Sequence, residues 1–358
     1  MKVGTAFCDY ENYHAFSVLE GLENLKKYHF LEAPSWRKGK NWELNESKKL
    51  GFFSVKALRR VLKSDYVIFW GIFNPFPTML FYFIFAVIFR KEVFICSEGF
   101  KSEKKGLGKK LISFLMAFAK QEKISVLCIG NGANSDYKSI GFNNVNFYKF
   151  GFFEEYNSVG HITISDKYSN LENRTLRILY VGQLIDRKGI LDFVTKLDDV
   201  KRDLIIDIAG DGELMGGIRA AKSFLPPNVK VNLHGYCCVE KLHDLYSSAD
   251  IFLLPSKYEG WGVVINQAIH YKLPLLLAAN VRSGEGFLFD NNGAIFNGYS
   301  QALNFISSID EESIIRMANY SCELSKIWNV EVARTRLRCF INNGMIYDSG
   351  PLAIYTLS

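Results

Sequence analysis

Residues 249–268 read Ala249-Asp250-Ile251-Phe252-Leu253-Leu254-Pro255-Ser256, then Lys257, then Tyr258-Glu259-Gly260-Trp261-Gly262-Val263-Val264-Ile265-Asn266-Gln267-Ala268. An apolar run of strand length stops at Pro255, which has no amide hydrogen to extend a ladder. A short loop carries Glu259, and Gly260 and Gly262 open a helix-patterned stretch near 261–271. Strand, loop and helix in that order make the repeating unit of a parallel sheet covered by helices. Free N–H groups at such a helix start stabilise an anion such as a diphosphate, and glycines let it approach the backbone. The same residues also suit a tight turn in which Glu259 merely favours the helix N-terminus. Local pattern leaves both readings open.

Outward from this segment the same alternation covers most of the chain. The second half offers strands near 176–181, 204–209, 229–233, 250–254 and 275–278, with helices near 188–197, 212–223, 239–247 and 261–271. The first half offers strands near 2–7, 28–31, 66–70, 93–97 and 124–129. Two five-strand series predict an α/β protein of two doubly wound, Rossmann-like domains. The polar stretch 157–174 is the best linker, so the domains are expected at 1–165 and 166–358, with the last helix free to pack back on the first.

A length of 358 residues accommodates two such cores, and 48% hydrophobic content excludes disorder as the main state. The net charge of +6 is unevenly spread. Residues 1–160 hold 23 Lys and Arg against 15 Asp and Glu, whereas 161–358 hold 20 against 22. Seven cysteines without a Cys-x-x-Cys spacing support neither a disulfide framework nor a zinc site. Residues 1–8 run straight into a strand-like pattern, which predicts no secretory signal and a cytoplasmic protein. Residues 66–89 carry no charge, yet Asn74, Pro75 and Pro77 interrupt them. A buried strand, a loop and an apolar helix from about 78 to 89 are therefore expected in place of a membrane span. That helix is apolar all round, hence fully buried or partly in lipid.

Other loops share the design of 255–262. Gly182-Gln183-Leu184-Ile185-Asp186-Arg187-Lys188-Gly189 follows a strand and leads into a helix. Its Lys188 can meet a phosphate or simply be solvated. Ile208-Ala209-Gly210-Asp211-Gly212 lacks the third glycine of a dinucleotide fingerprint, which weakens an NAD reading. His234-Gly235-Tyr236 closes a fourth strand. Glycine-bearing loops at four of five strand ends point to a nucleotide-shaped surface.

The order and spacing of these loops resemble the donor domain of family-4 retaining glycosyltransferases of GT-B fold, over about 175–342 and most strongly over 249–277. The Gly260-Trp261-Gly262 version with Asn266 resembles a subgroup of cell-surface polysaccharide assembly, including capsule and lipopolysaccharide. The resemblance implies two domains facing a central cleft. It also implies that Glu259 holds donor-sugar hydroxyls, that Lys188 with the backbone of Gly262, Val263 and Val264 holds the diphosphate, and that Gly260 and Trp261 belong to the donor-binding segment. Gly210, Tyr236 and Ser256 would then surround the nucleoside. Two positions depart from the family: Gln183 stands where it usually has Arg, and Gln267 where a second carboxylate contacts ribose. An amide can still donate and accept there, though more weakly than a charge.

The first half resembles the acceptor domain only loosely. Asn12, His14 and Glu98 are its cleft candidates, although a loop His is commonly just solvated. Lys101, Lys104, Lys105, Lys109, Lys110, Lys120 and Lys123 flank the apolar stretch 107–119. That pattern suits an anionic membrane surface, on the inner face of the plasma membrane, or a helix packed on the sheet with solvated lysines. No recognisable nucleic-acid module is present. The expectation is a metal-independent hexosyltransferase without a cofactor, its nucleotide-sugar being a substrate and its acceptor a saccharide, lipid-linked or free. The rival enzyme readings are an epimerase or a phosphorylase, and the non-enzymatic one is a degenerate, ligand-binding or assembly protein.

Overall fold

The computed structural model describes residues 2–10, 13–31, 48–51, 53–73, 77–100, 107–154, 163–169, 171, 175–284 and 286–355. The chain divides into two compact units, Met1–Glu155 with Trp328–Ser358, and Tyr156–Ile327. Each is built on its own parallel sheet.

In the first unit the strands are β1 (Gly4–Tyr10), β2 (Leu25–Leu31), β3 (Lys48–Lys49), β4 (Tyr66–Trp70), β5 (Glu92–Glu98), β6 (Ile124–Ile129) and β7 (Asn146–Phe150), in the order β3-β2-β1-β4-β5-β6-β7. The central β4 is buried along its whole length, as an unbroken apolar strand covered on both faces must be. Phe7 on β1 anchors the core. Its ring stacks on Tyr28, Phe30, Phe69 and Tyr82 with centroids 4.9–5.9 Å away. Removing a ring so enclosed costs about 3–5 kcal/mol.

The helices of this unit are α1 (Tyr13–Leu19), α2 (Val55–Lys63), α3 (Thr78–Ile88), α4 (Leu107–Phe118) and α5 (Ala133–Lys138). The apolar α3 is split by face: Met79, Tyr82, Phe83 and Ala86 are buried, whereas Phe81, Ile88 and the following Phe89 are exposed. Among the described residues no helix is long and apolar enough to cross a membrane.

The second unit contains β8 (Leu176–Val181), β9 (Leu204–Ala209), β10 (Val229–Gly235), β11 (Ile251–Leu254), β12 (Leu275–Ala278) and β13 (Gly293–Phe296), ordered β10-β9-β8-β11-β12-β13. Its helices are α6 (Ile164–Lys167), α7 (Ile190–Val194), α8 (Met215–Lys222), α9 (Val239–Ser248), α10 (Val263–His270), α11 (Tyr299–Ser308) and α12 (Glu311–Ile327). The chain thus has two Rossmann-like α/β domains, with seven and six strands instead of five each. The helix expected at 188–197 starts later, because Gly189 at φ +68° separates a tight turn over Asp186–Lys188 from α7.

The last helix, α13 (Val330–Asn343), lies in the first unit, the return that the expected 166–358 domain left open for it. Arg334 of α13 donates to the Ser17 carbonyl and pairs with Glu20 at 2.9 Å. The ring of Phe340 packs on Phe94 and Tyr148. The tail then returns along β7. Leu352 and Tyr355 donate to the carbonyls of Lys149 and Phe147, and Lys149 donates to Ala353, all at 2.7–2.8 Å.

Candidate functional site

In the second sheet the strand order reverses between β8 and β11, and ligands of such sheets bind beyond the carboxyl ends of strands at this switch. The loops leaving those two strands are 182–189 and 255–262. They are stitched together through the backbone. Lys257 N–H donates to the Arg187 carbonyl at 2.9 Å. A Cβ on Gly189 would sit 2.2 Å from the Pro255 carbonyl oxygen, and the positive φ there also favours glycine. Tyr180, at the end of β8, donates its hydroxyl to the Gln183 carbonyl at 2.8 Å.

This stitching brings Lys188 onto Glu259. The Lys188 ammonium donates to Glu259 Oε2, and Arg187 Nη1 reaches the same oxygen at 3.3 Å. The Lys188 and Glu259 side chains are each only 12% exposed, so this pair is largely withdrawn from solvent. Arg187 is more open and also donates to the Tyr258 carbonyl at 2.8 Å. The backbone of Glu259 is held from the other side, where its N–H donates to Asn280 O and its carbonyl accepts from Arg282 N–H. The Arg282 guanidinium lies 5.4 Å from the Tyr258 ring centre. Burial pushes the Tyr180 phenol well above its ordinary pKa, and the Glu259 charge adds to the effect. Lys257 bridges Asp186 at 2.6 Å and Asp192 at 2.8 Å, and those carboxylates hold its ammonium above the usual range.

Just past Glu259 the chain enters α10. Gly262 is its N-cap at φ +77°, a conformation a side chain would strain. The first N–H groups of a helix lack intrahelical partners, so this end favours an anion. Gly260, Val263 and Val264 lie in the same segment. Trp261 does not offer its ring to a ligand. It is buried, donates through Nε1 to Asn266 at 2.8 Å, and meets Phe287 edge-on at 5.6 Å. Gln267 Oε1 accepts from the Tyr246 hydroxyl at 2.9 Å, one helical turn beyond Val263.

The remaining expected residues spread along the same sheet edge. Gly210 donates its N–H to Gly235 O at 2.8 Å, tying the ends of β9 and β10 together. Tyr236 follows directly and is 73% exposed, and Gln183 is also exposed. Ser256 is fully buried and its hydroxyl has no hydrogen-bond partner among the described residues. A pocket of about 190 Å³ lies beside it at the ends of β11, β12 and β13, lined also by Asn280, Asn297 and Tyr299.

On the first unit, Asn12 lies outside the described residues. His14, a cleft candidate with solvation as its ordinary alternative, is instead buried, with Nδ1 3.2 Å from the Phe153 carbonyl. Glu98 is exposed at the carboxyl end of β5. Among the described residues no group of three or more His, Cys, Asp or Glu could hold a metal ion.

Arg187 and Arg282 were not among the expected site residues. Adjacency to Lys188 was the available signal for Arg187, whereas Arg282 arrives through a backbone pairing that spacing does not encode. A second unforeseen feature supports the Tyr236 loop. Asp207 on β9 accepts from His234 at 2.7 Å, Asn232 at 3.0 Å and Arg177 at 3.0 Å. Burial alone would raise the Asp207 pKa, but these hydrogen bonds outweigh it and hold the carboxyl below its usual range.

The switch-point loops and the α10 start lie within the stretch that comparison with known proteins picks out. Residues 162–311 match the family described as Glycosyl transferases group 1. An uncharacterized glycosyltransferase of Methanocaldococcus jannaschii, MJ1607, is 29% identical over 104 residues, or 28% of this chain and 27% of its own length. The alpha-D-kanosaminyltransferase of Streptomyces kanamyceticus is 28% identical over 109 residues, covering 30% and 28% respectively. The chain thus matches less than a third of the length of either curated relative. Among solved structures, the lipopolysaccharide outer core galactosyltransferase WaaB superposes with a TM-score of 0.67 at 16% identity, over 96% of this chain and all of that one. Anabaena Alr3699/HepE, solved with UDP and glucose, gives 0.65 at 11% identity, again over 96% and 100%. These likenesses show the fold, a GT-B-like pair of Rossmann-like domains.

Proposed function

We propose that the protein transfers a hexosyl group from a nucleotide-diphosphate sugar to a saccharide acceptor, with retention of anomeric configuration. The observation that carries this reading is the Lys188–Glu259 pair at the switch point, with the N-terminus of α10 beside it. An arriving diphosphate competes with Glu259 for Lys188 and Arg187, and the freed carboxylate accepts hydrogen bonds from sugar hydroxyls. The family match of the same segment, and the presence of UDP in the HepE structures, support the donor class.

In the reaction, the bond from the sugar C1 to the diphosphate oxygen breaks and its electron pair leaves with the diphosphate. The acceptor hydroxyl oxygen bonds to C1 from the same face, and its proton passes to the departing phosphate. Lys188, Arg187 and the α10 N–H groups stabilise the charge that develops on the leaving group. These groups can do so without a metal ion, and the nucleotide-sugar serves as substrate, with no separate cofactor. The likeness to the lipopolysaccharide outer core galactosyltransferase WaaB supports a lipid-linked acceptor in surface polysaccharide assembly, at the cytoplasmic face of a membrane.

The test is a thermal-shift screen over UDP-, GDP- and dTDP-sugars, followed by turnover with the best ligand. Glu259→Ala should abolish turnover while the chain stays folded. Normal turnover by that variant sinks the role given to Glu259. Ligand binding without turnover by the native protein would instead support the degenerate, binding-only reading suggested by Gln183 and Gln267.

A further inference from the structure

The first unit carries an apolar face that its own fold leaves open. Along α4, Leu111, Phe114 and Phe118 are 47%, 66% and 76% exposed. Phe114 and Phe118 touch, with ring centres 5.2 Å apart. At the end of α3, Ile88 and Phe89 are 61% and 48% exposed, and Phe89 leans on Phe85 at 4.5 Å. Bulky rings held in solvent by rigid helices are unusual on a protein surface, and their clustering calls for an apolar partner.

Charge identifies that partner. Between the ends of α3 and α4 runs a groove of about 330 Å³, whose apolar floor includes Val87, Leu115 and Phe118. Four cations line it: Arg90, Lys91, Lys120 and Lys123. Glu122 is the acidic residue within that turn of chain. Lys91 and Lys123 each donate one hydrogen bond to a backbone carbonyl, of Leu62 and Arg90, which fixes them at the rim. An ammonium has three donors, so both can still receive an anion. Exposed aromatics beside a ring of cations match the two layers of a bilayer surface, acyl chains beneath anionic headgroups.

We propose that this face docks on an anionic phospholipid surface. Phe114, Phe118, Ile88 and Phe89 enter the acyl boundary, while Arg90, Lys91, Lys120 and Lys123 meet headgroup phosphates. The face shares α4, Lys120 and Lys123 with the surface read from sequence and adds Arg90, Lys91 and the end of α3, whereas Lys101, Lys104 and Lys105 lie outside the described residues. It also stands whether or not the second unit transfers sugars.

Co-sedimentation of the full chain with vesicles tests it. The native protein should pellet with mixed phosphatidylglycerol–phosphatidylcholine vesicles at low salt and stay in solution with phosphatidylcholine alone. Arg90→Glu with Lys120→Glu should weaken partitioning about tenfold or more, since each nearby cation contributes about fivefold. Phe114→Ser with Phe118→Ser should weaken it about tenfold through lost apolar burial. Lys230→Glu with Lys241→Glu, on the second unit, should change nothing, and matched melting temperatures would show all variants folded. Failure of the native protein to pellet with anionic vesicles overturns the proposal, as does unchanged binding by the Arg90 and Lys120 variant. So does a native dimer that the Phe114 and Phe118 variant converts to monomer without any vesicle binding, because the face would then belong to a second copy.

Discussion

Replacing Lys188 by Met keeps most of the alkyl stem but strands the Glu259 carboxylate, which is only 12% exposed. Losing one partner of a buried ion pair costs about 3–5 kcal/mol, because the other charge stays behind without compensation. Arg187 still reaches Glu259 Oε2 at 3.3 Å and some solvent access remains, so we expect about 2–3 kcal/mol here. For a unit of this size each kcal/mol shifts the melting temperature by about 2–4 °C, giving a drop of roughly 4–12 °C. Glu259→Gln should cost somewhat less, since an amide oxygen still accepts from Lys188. The double variant removes both charges and should be more stable than the sum of the singles implies, with a coupling of about 1–3 kcal/mol. Calorimetry on the full chain, following the transition of the second unit, reads all four corners of this cycle. A nucleoside diphosphate at a hundredfold its dissociation constant should stabilise the native protein by about 2.7 kcal/mol and the Lys188→Met variant by much less. Single variants within about 0.5 kcal/mol of native and strictly additive would refute the reasoning, placing the pair among exposed contacts that contribute little.

Two further outcomes follow from the same sheet edge. Arg187→Gln should lower affinity for a nucleoside diphosphate about tenfold, the loss of one charged hydrogen bond, while leaving the melting temperature of the free protein nearly unchanged; Gln183→Arg in that background should recover part of the loss by titration calorimetry. Asp207 has a folded pKa below its unfolded value near 3.9, so its contribution is full above that pH and is lost as pH falls through the folded pKa. Asp207→Asn should therefore cost about 2 kcal/mol at neutral pH, and urea midpoints should show its deficit shrinking below about pH 4.

The parts of the fold that could be read ahead were those where one force dominates. Residues 66–70 and 251–254 are apolar runs of strand length, and each became a central strand buried along its whole length. The unseen strands are edge elements. In β7, Lys149 sits among aromatics, and β13 is only four residues with a leading glycine, so neither shows a clean period. The donor-side loops were legible because glycines and prolines punctuate them. Arg282 was not, because a backbone pairing between distant segments brings it there. His14 shows the opposite failure: a polar residue near a loop could be read as a cleft group or as solvated, yet α1 turns it inward onto the Phe153 carbonyl. The return of α13 to the first unit could be allowed for but not fixed from sequence, because it has the ordinary pattern of a packed helix, which does not say which core it joins.

The return of α13 and the tail to the first unit has a consequence for synthesis. The first unit is interrupted by the whole of Tyr156–Ile327, so its last helix leaves the ribosome after a complete domain has been made. At about 5–20 residues per second that interval lasts roughly ten to thirty seconds. Throughout it, the faces of Phe94 and Tyr148 that Phe340 will cover stand open, and β7 presents unpaired backbone groups along its outer edge. An open strand edge is a template for pairing with another chain. The nascent protein is therefore most vulnerable to aggregation in the half that is translated first, and that half is completed last.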